Sequence, residues 1–277
     1  MKDLSCCVTS CEKPLDGSYW DLQYQLATTG WDLGVISPPI KAYIDQLTDK
    51  EISILIPGCG DTYEAEYLLE KGFTNITVLD IAPTLIEKLK VKFKNRKAIR
   101  IIQGDFFEHQ ATYDLILEQT FFCALPPPMR QKYIWKMHQL LAKGGKIVGL
   151  LFDRNFEVSP PFGGNKATYE ALFSDAFHLK TLETCTNSVT PRAETELFFV
   201  FQKKSEVEVQ CYSLTGITCS NCTKTVLQKI TALAGVIAAQ INSSFTDLVV
   251  VSTAALGLQE LKDVLAYEPE YTLKEIV

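Results

Sequence analysis

Apolar residues alternate between short runs and spaced, helix-like patterns from residue 52 to residue 152 of this 277-residue chain. The short runs, such as ILIP, ITVLD and KIVGLLF, are typical of buried strands, and the spaced patterns, such as YEAEYLLEKG, PTLIEKLKVKF and RQKYIWKMHQLLAKGG, are typical of helices. Strands that alternate with helices predict a parallel sheet with helices on its faces. A further helix is predicted over ATYEALFSDAF, and two late strands, LKTLETC and ETELFFVFQKK, are expected to close one edge of the sheet.

The pattern restarts after the polar stretch QKKSE, residues 202 to 206, which we interpret as a linker. From residue 207 the order is strand, helix, strand, strand, helix, strand, and this βαββαβ order is typical of a ferredoxin-like domain. We therefore predict an α/β protein with two domains, residues 1–203 and residues 207–277, each with its own core. Residues 1–18 are expected to form a flexible arm.

The composition is that of a globular protein, with 47% hydrophobic and 22% charged residues. No apolar run approaches the roughly 20 residues that cross a bilayer, and the net charge of −6 argues against a general nucleic-acid binder. The first residues lack the apolar core of a signal peptide. Nine cysteines, an odd number, suit free thiols or metal ligation better than a disulfide framework. We therefore expect a cytoplasmic protein that binds neither nucleic acid nor a membrane.

Glycine or aspartate follows three successive predicted strands. The first strand ends in Gly58 and Gly60 directly before a helix, where glycine lets the backbone approach a ligand and the helix N-terminus offers free N–H groups. The second ends in Asp80, whose carboxylate can accept both hydroxyl protons of a ribose. The third leads into Asp105 and Phe106, which can meet an adenine. Taken singly, an ordinary turn or a helix N-cap explains each feature as well, but together they predict an adenosine-containing cofactor.

The glycine turn also indicates which adenosine cofactor fits. It lacks a full GxGxxG pattern, because Thr62 follows Asp61. The pyrophosphate of a dinucleotide would need the missing glycine, so a cofactor without phosphate groups fits better.

Several stretches of the chain occur in an order that resembles the thiopurine S-methyltransferase family, including its thiol and halide methyltransferase relatives. They are YWDLQYQLATTGWDLGVISPPI, LIPGCG, LDIAP, GDFF, FFCALPPPMRQKY, LLAKGGKIV and SPPFGG. The resemblance implies a class I methyltransferase fold with a Rossmann-like sheet that uses S-adenosylmethionine. The cofactor-binding residues that it implies are Trp20, Tyr24, Trp31, Gly58, Gly60, Asp80, Ile81, Asp105 and Phe106. The first three belong to an N-terminal segment that covers the cofactor.

The same resemblance implies two catalytic residues, Arg130 and Glu118. Arg130 matches an arginine that the family places near cofactor and substrate, where a fixed planar cation steers an anion; a solvated arginine at a helix start is the alternative. Glu118 would face the cleft, with Phe121 and Phe122 as walls for the substrate. A carboxylate that caps a helix beside core aromatics is the alternative for Glu118.

The chain departs from the family pattern at Thr62 and Glu64, where members often carry glycine and aspartate, and at Ser159, where they carry glycine. We expect these changes to be tolerated.

A soft thiolate, halide or selenide can attack the methyl group of the sulfonium without a dedicated general base, so a Ser-His-Asp or Cys-His arrangement is not required.

The stretch GITCSNC, residues 216–222, carries two thiols, Cys219 and Cys222, at the predicted start of a helix. The helix end favours their ionised forms, and such a pair suits nearly linear binding of a soft metal ion such as Cu(I). A redox CxxC pair and a chance occurrence are the alternatives. Residues 207–277 resemble the heavy-metal-associated domain family, whose motif usually has methionine where Ile217 stands.

These observations predict a methyltransferase that uses S-adenosylmethionine and acts on a small soft nucleophile, with a fused domain that binds a soft metal ion. The acceptor classes are thiols and thiopurine-like compounds, halides, and selenium or tellurium species, and a metal-delivery protein is a candidate partner. The alternative is a metal-binding chaperone or sensor whose methyltransferase-like domain binds the cofactor without turnover. A second cysteine cluster, Cys6, Cys7 and Cys11, is either a mobile thiol-bearing arm or a further set of soft ligands.

Overall fold

The computed structural model describes residues 14–268 and 270–276. Its α-helices are α1 Gly17–Gln25, α2 Pro38–Ile44, α3 Tyr63–Glu70, α4 Pro83–Lys92, α5 Arg130–Leu140, α6 Lys166–Phe173, α7 Ser220–Thr231 and α8 Leu258–Leu265. Its strands are β1 Ile54–Pro57, β2 Ile76–Asp80, β3 Ile99–Gln103, β4 Tyr113–Gln119, β5 Leu141–Phe152, β6 Phe177–Thr184, β7 Glu196–Lys203, β8 Glu208–Thr215, β9 Val236–Ile241, β10 Asp247–Ser252 and β11 Thr272–Ile276.

The predicted parallel sheet is present as seven strands in the order β3-β2-β1-β4-β5-β7-β6. Strands β1 to β5 run parallel to one another, and β7 runs antiparallel to both β5 and β6. The two late strands therefore do extend one edge, with β7 inserted between β5 and the outermost strand β6.

Different helices cover the two faces of this sheet. Alternate residues of each strand point to opposite faces and therefore belong to different cores. Ile54 and Ile56 of β1 belong to a core with residues of α2, α3 and α4. Leu55, between them, belongs to a second core with residues of α5 and α6. Both faces are buried, which explains why several of the strands are continuous apolar runs in the sequence.

Helix α5 is shorter than predicted, because it ends at Leu140 and the chain enters β5 at once. Leu141 pairs with Tyr113 of β4, and the next pair joins Leu115 to Lys146, so an irregular stretch with three extra residues in β5 interrupts the register. Gly144 within it has a φ of 76°, which glycine adopts without strain. The stretch LAKGG, residues 141–145, which was predicted as the end of the helix, thus belongs to a bulged strand.

The C-terminal residues form a four-stranded antiparallel sheet in the order β11-β8-β10-β9. Helices α7 and α8 cover one face, where their buried residues Val226 and Leu261 join Tyr212, Leu214 and neighbouring strand residues in a core. The elements follow one another in the predicted order of strand, helix, strand, strand, helix, strand.

The other face of the C-terminal sheet packs on α5. Val209 and Cys211 of β8 and Val249 and Val251 of β10 are buried in the same core as α5 and α6, and the Gln131 amide donates to the Gln240 side chain at 3.3 Å. Contact on both sides explains why almost every residue of α5 after its first turn is buried. The two sheets therefore share one continuous core.

The segment predicted as a linker, residues 202–206, is held against the seven-stranded sheet and its helices by hydrogen bonds. Gln202 and Lys203 belong to β7, the Lys204 amide donates to Ala176 O at 3.1 Å, and His138 Nε2 lies 3.0 Å from Lys204 O. At the other end of the chain, α1 begins at Gly17, inside the segment predicted as an arm, with Asp16 as its N-cap.

The predictions for Cys6, Cys7 and Cys11 fall outside the described residues. Among the described helices, none has the length and apolar character needed to cross a membrane.

Candidate functional site

A cavity of about 830 Å³ lies at the carboxyl ends of the parallel strands. Gly58 follows β1, Asp80 ends β2, Asp105 follows β3, Phe121 follows β4 and Arg154 follows β5, and all five line it. This edge is where open parallel sheets bind ligands, and the volume lies in the range of small-molecule sites. The N-terminal segment, residues 15–31, forms the opposite wall.

The glycine turn after β1 has a backbone that only glycine adopts freely. Gly58 and Gly60 have φ of 54° and 52°, in the left-handed region. A Cβ on Gly58 would lie 2.3 Å from a ring carbon of Phe121, and one on Gly60 would lie 3.7 Å from the Tyr24 hydroxyl. The turn therefore leaves a backbone surface against which a ligand can lie. Thr62, which stands where the family often has glycine, also takes a left-handed φ of 49°.

Asp80 is buried and aimed at this turn. Its Oδ2 accepts a hydrogen bond from the Gly60 amide at 3.3 Å, and its Oδ1 accepts from the Ala82 amide at 3.0 Å. Burial raises the pKa of this carboxyl above its usual value, while the backbone hydrogen bonds act in the opposite direction. Each oxygen retains a lone pair that can accept a hydrogen bond from a ligand hydroxyl. The neighbouring Ile81 also lines the cavity.

The chain after β3 places Asp105 and Phe106 side by side in the wall. Asp105 Oδ1 accepts from the Phe107 amide at 2.8 Å, which fixes the carboxylate at the start of a single helical turn. Phe106 is buried and meets Phe121 edge to face, with ring centroids 5.1 Å apart. The result is an apolar ring surface beside a carboxylate.

Three aromatic residues predicted to cover the cofactor lie together over the turn. Trp31 contacts Trp20 and Tyr24 edge to face, at centroid distances of 5.5 and 5.8 Å, and all three line the cavity. Helix α1, which carries Trp20 and Tyr24, is tied to α4 because Asp21 Oδ1 accepts from the Thr84 amide at 2.7 Å.

Glu118 does not line the cavity. It is fully buried at the end of β4, and its Oε1 accepts from the amides of Phe121 and Phe122 at 2.7 and 3.0 Å. Its Oε2 has no hydrogen-bond partner among the described residues, and burial raises the pKa of this carboxyl to about 7. The structure differs from the predicted cleft-facing position, because the carboxylate caps the turn that follows its own strand.

Phe121 and Phe122 have different surroundings, although both were predicted as substrate walls. Phe121 lines the cavity, as predicted. Phe122 points into the core, where its ring centroid lies 5.0 Å from that of Tyr133 and 5.9 Å from those of Tyr169 and Phe173.

Arg130 also lies outside the cavity lining. Its Nη2 donates to Gly163 O at 2.7 Å, and its guanidinium carbon lies 4.9 Å from the centroid of Phe122. Its position corrects the prediction that it steers an anion directly, since its planar cation is directed at a backbone carbonyl. Arg130 fastens the loop of residues 153–165, several of which line the cavity.

Two other arginines line the cavity, and the sequence reasoning missed both. Arg154 directly follows β5, so the strand-end rule applied to Asp80 also applies to it. Arg192 lies in the loop before β7 and has no local signature. Its Nη2 donates to Trp31 O at 2.9 Å, and its Nη1 lies 3.4 Å from Glu196 Oε1. Arg192 therefore joins the aromatic cover to the sheet.

The buried cysteines of this region show no sign of activation. Cys59 and Cys123 are both buried, and burial raises the pKa of each thiol. Cys123 lines the cavity and donates to Thr120 O at 3.3 Å. A thiol with a raised pKa is a poor nucleophile at neutral pH.

The CxxC pair lies at the N-terminus of α7. Cys219 is the N-cap, its Sγ accepts from the Cys222 amide at 3.2 Å, and the two Cα atoms are 5.3 Å apart. The two sulfurs are joined as a disulfide. Within the described part of the chain, no group of three or more His, Cys, Asp and Glu side chains could hold a metal ion.

The sequence profile of the thiopurine S-methyltransferase family matches residues 15–210, which is well over half of the chain. The chain belongs to this family. The matched residues include the whole seven-stranded sheet and the cavity, and they end inside β8.

Three of the proteins to which this chain is similar are named for the methylation of sulfur compounds. A probable thiol methyltransferase 2 of Arabidopsis thaliana is 30% identical over 55% of this chain and 70% of its own length. A thiocyanate methyltransferase 1 of Brassica oleracea is 25% identical over 62% of this chain and 79% of its own length. A thiopurine S-methyltransferase of Aliivibrio fischeri is 25% identical over 58% of this chain and 84% of its own length.

A solved structure confirms the class I methyltransferase fold. The 1,6-didemethyltoxoflavin-N1-methyltransferase of Burkholderia thailandensis, with bound 1,6-didemethyltoxoflavin and S-adenosylhomocysteine, superposes with a TM-score of 0.56. It is 16% identical, and the match covers 68% of this chain and 87% of that one.

The site fits the methyl donor of the family. Side chains on Gly58 or Gly60 would fill the space beside Phe121 or Tyr24, and the Asp80 carboxylate is held by backbone amides alone. These are features of a cradle for a ligand with hydroxyl groups. Together with the family, they identify a methyltransferase that uses S-adenosylmethionine.

Proposed function

We propose that the protein is an S-methyltransferase that transfers the methyl group of S-adenosylmethionine to a small soft nucleophile, such as a thiol or thiopurine-like compound, a halide, or a selenium or tellurium species. One observation carries the proposal. Among the described residues that line the cavity there is no histidine, lysine or glutamate, and the thiol of Cys123 has a raised pKa. The lining carboxylates have other roles, since Asp16 caps α1 and Asp80 and Asp105 accept backbone amides at the cofactor end. A hydroxyl acceptor needs a base to remove its proton, whereas a thiolate does not.

The residues around the cavity then act by binding, positioning and exclusion of water. Gly58, Gly60 and Asp80 hold the cofactor, and Asp105 and Phe106 bind its adenine. The cofactor supplies an electrophilic methyl group on a sulfonium. The cover of Trp20, Tyr24 and Trp31, closed by Arg192, keeps water from the acceptor, and the apolar wall orients it. Glu118 and Arg130 support this wall from behind.

The test is methyl transfer from labelled S-adenosylmethionine to matched pairs of acceptors, thiophenol with phenol and thiocyanate with cyanate, and to thiopurines, selenite and tellurite. We expect turnover on the softer member of each pair, and its loss in Asp80→Ala. Turnover on phenol with none on thiophenol would contradict the proposal. Cofactor binding without turnover on any acceptor would favour the alternative, a sensor or chaperone in which the cofactor is structural.

We also infer that residues 207–277 form a ferredoxin-like, heavy-metal-associated domain that binds a soft ion such as Cu(I) through Cys219 and Cys222. The strand order β11-β8-β10-β9 with both helices on one face supports it. So does the position of the pair, with Cys219 as the N-cap of α7 and both sulfurs in contact. A helix N-terminus favours thiolates. The disulfide must be reduced before the sulfurs can bind a metal, and a reducing compartment such as the cytoplasm would keep it so.

A Cu(I) titration against a competing chelator tests this site without reference to methyl transfer. We expect a high-affinity phase in the reduced protein that is absent from the double variant Cys219→Ser, Cys222→Ser. A Cys211→Ser variant is the matched control, because Cys211 is buried in the same domain on the face that packs against α5. An unchanged titration in the double variant would dismiss the site, and with it a metal-delivery partner.

A further inference from the structure

The cavity contains two guanidinium groups that differ in their partners. Arg192 is largely buried, donates to Trp31 O and pairs with Glu196. Arg154 is exposed at the cavity wall, and within the described part of the chain no carboxylate lies within ion-pair distance of it. Its guanidinium carbon lies 4.7 Å from the centroid of Phe156, and its Nε donates to Asn155 O at 3.4 Å. Both Nη groups of Arg154 are therefore available to a ligand.

The backbone of Arg154 is held in place by the far end of its own loop. Gly164 N donates to Arg154 O at 3.1 Å, and the two residues form an isolated β-bridge. The approach is so close that a Cβ on Gly163 would lie 1.8 Å from Arg154 O. Arg130 secures the same end of the loop through its 2.7 Å hydrogen bond to Gly163 O. Arg130 is therefore a positioning residue that acts on Arg154 through the backbone of residues 163 and 164.

Arg154 is also separated from the carboxylates that the cofactor uses. Asp105 follows β3 and Asp80 ends β2, whereas Arg154 follows β5, three strands from β2 in the sheet order. With neighbouring strands about 4.8 Å apart, this separation is about 14 Å. The two carboxylates of the cofactor end and the Arg154 guanidinium thus lie well apart along the sheet edge that lines the cavity.

Many of the side chains that share the cavity lining with Arg154 are apolar, and the Arg192 guanidinium carbon lies 5.5 Å from the ring centroid of one of them, Phe152. Phe121, Leu125, Met129, Phe152, Phe156, Pro160 and Pro161 share the lining with it. A ligand for this end needs an apolar body that covers these side chains, and an anionic group for the two free Nη groups. A guanidinium binds a carboxylate through two parallel hydrogen bonds, which gives direction as well as charge.

We propose that Arg154 selects acceptors that carry an anionic group in addition to their soft nucleophilic atom, and that Arg130 positions Arg154 for this contact. The acceptor class is an aromatic or otherwise apolar thiol with a carboxylate. This inference rests on the proposed S-methyltransferase function.

The experiment compares 4-mercaptobenzoate with thiophenol as acceptors for the wild-type protein and for Arg154→Gln, Arg154→Lys and Arg130→Gln. We expect Arg154→Gln to raise the KM for 4-mercaptobenzoate at least tenfold and to change the KM for thiophenol less than twofold, with partial rescue in Arg154→Lys. Arg130→Gln should raise the KM for 4-mercaptobenzoate more than the KM for thiophenol, because Arg154 loses its fixed position when the end of its loop loses the anchor at Gly163 O. The proposal would be overturned if Arg154→Gln changed the KM for both acceptors equally. It would also be overturned if Arg130→Gln, but not Arg154→Gln, raised the KM for 4-mercaptobenzoate more than the KM for thiophenol.

Equilibrium binding separates this inference from the proposed function. The binding of 4-mercaptobenzoate and of thiophenol is measured by calorimetry in the presence of S-adenosylhomocysteine, where no turnover is needed. Preferential binding of 4-mercaptobenzoate that is lost in Arg154→Gln supports the anionic subsite, even if no methyl transfer is found. Equal binding of both thiols to the wild-type protein contradicts it, even if both are methylated.

Discussion

Replacing Gly58 with alanine tests the glycine turn quantitatively. At φ of 54° an alanine costs about 1 kcal/mol in backbone strain. Its Cβ would also lie 2.3 Å from Phe121 Cδ2, so the ring must move, and overpacking of this kind costs about 1–3 kcal/mol. Because Phe121 lines the cavity, part of this cost appears as lost cofactor affinity. A loss of about 1.4 kcal/mol in binding corresponds to a tenfold rise in Kd.

The assay is calorimetric titration with S-adenosylhomocysteine, together with the melting temperature of each variant. For Gly58→Ala we expect at least a tenfold rise in Kd and a fall in Tm of about 5 °C. Gly104→Ala is the matched control, because Gly104 lines the same cavity, has no positive φ, and its Cβ would meet only Leu79 Cδ1, at 3.9 Å. A Gly58→Ala protein with wild-type Kd and Tm would refute the reasoning.

Three further predictions concern groups behind the cavity and at its cover. The pKa of Glu118 is raised from 4.5 to about 7 in the folded chain, so between these pH values the folded chain holds a proton that the unfolded chain has released. The free energy of unfolding should therefore fall as the pH rises from 4.5 to about 7, by on the order of 3 kcal/mol. Urea unfolding of Glu118→Gln, which keeps an acceptor for the two amides, should lack this fall, and an unchanged slope would contradict the assignment. Arg192→Gln removes the hydrogen bond to Trp31 O and should speed both protease cleavage of the cover and S-adenosylhomocysteine dissociation; equal rates would show that the bond does not hold the cover. Val251→Asp places a charge between the two sheets and should lower the single melting transition by several degrees, whereas Ile237→Asp, at an exposed position, should not; separate transitions in the wild-type protein would contradict a shared core.

The cofactor end of the site could be predicted because its signals are local. Gly58, Gly60 and Asp80 follow buried strands directly, and the rule that such strand ends converge places them together without further information. The cover of aromatic residues could be found only through the family resemblance, since nothing within the N-terminal segment itself indicates where α1 packs.

The acceptor end could not be predicted in the same way, because its geometry depends on distant contacts. Arg130 reaches Gly163, 33 positions along the chain, and Arg192 reaches Trp31, 161 positions away. The Glu118 carboxylate accepts hydrogen bonds from the turn that follows its own strand, which resembles the capping role that the sequence left open as the alternative. The contact between the two sheets could not be predicted either. The sequence of α5, which is buried on both sides, does not differ from that of an apolar helix buried on one side.

The most direct measurement of the central claim is the pH dependence of kcat/KM for two aromatic thiols of different acidity. If the acceptor is a thiolate that needs no base from the protein, each profile should have its inflection at the pKa of its own thiol and reach a plateau above that pH. The inflection should therefore move when the thiol is changed. Inflections that stay at one pH for both thiols, and that shift in Glu118→Gln, would show that a group of the protein removes the proton and would contradict the account.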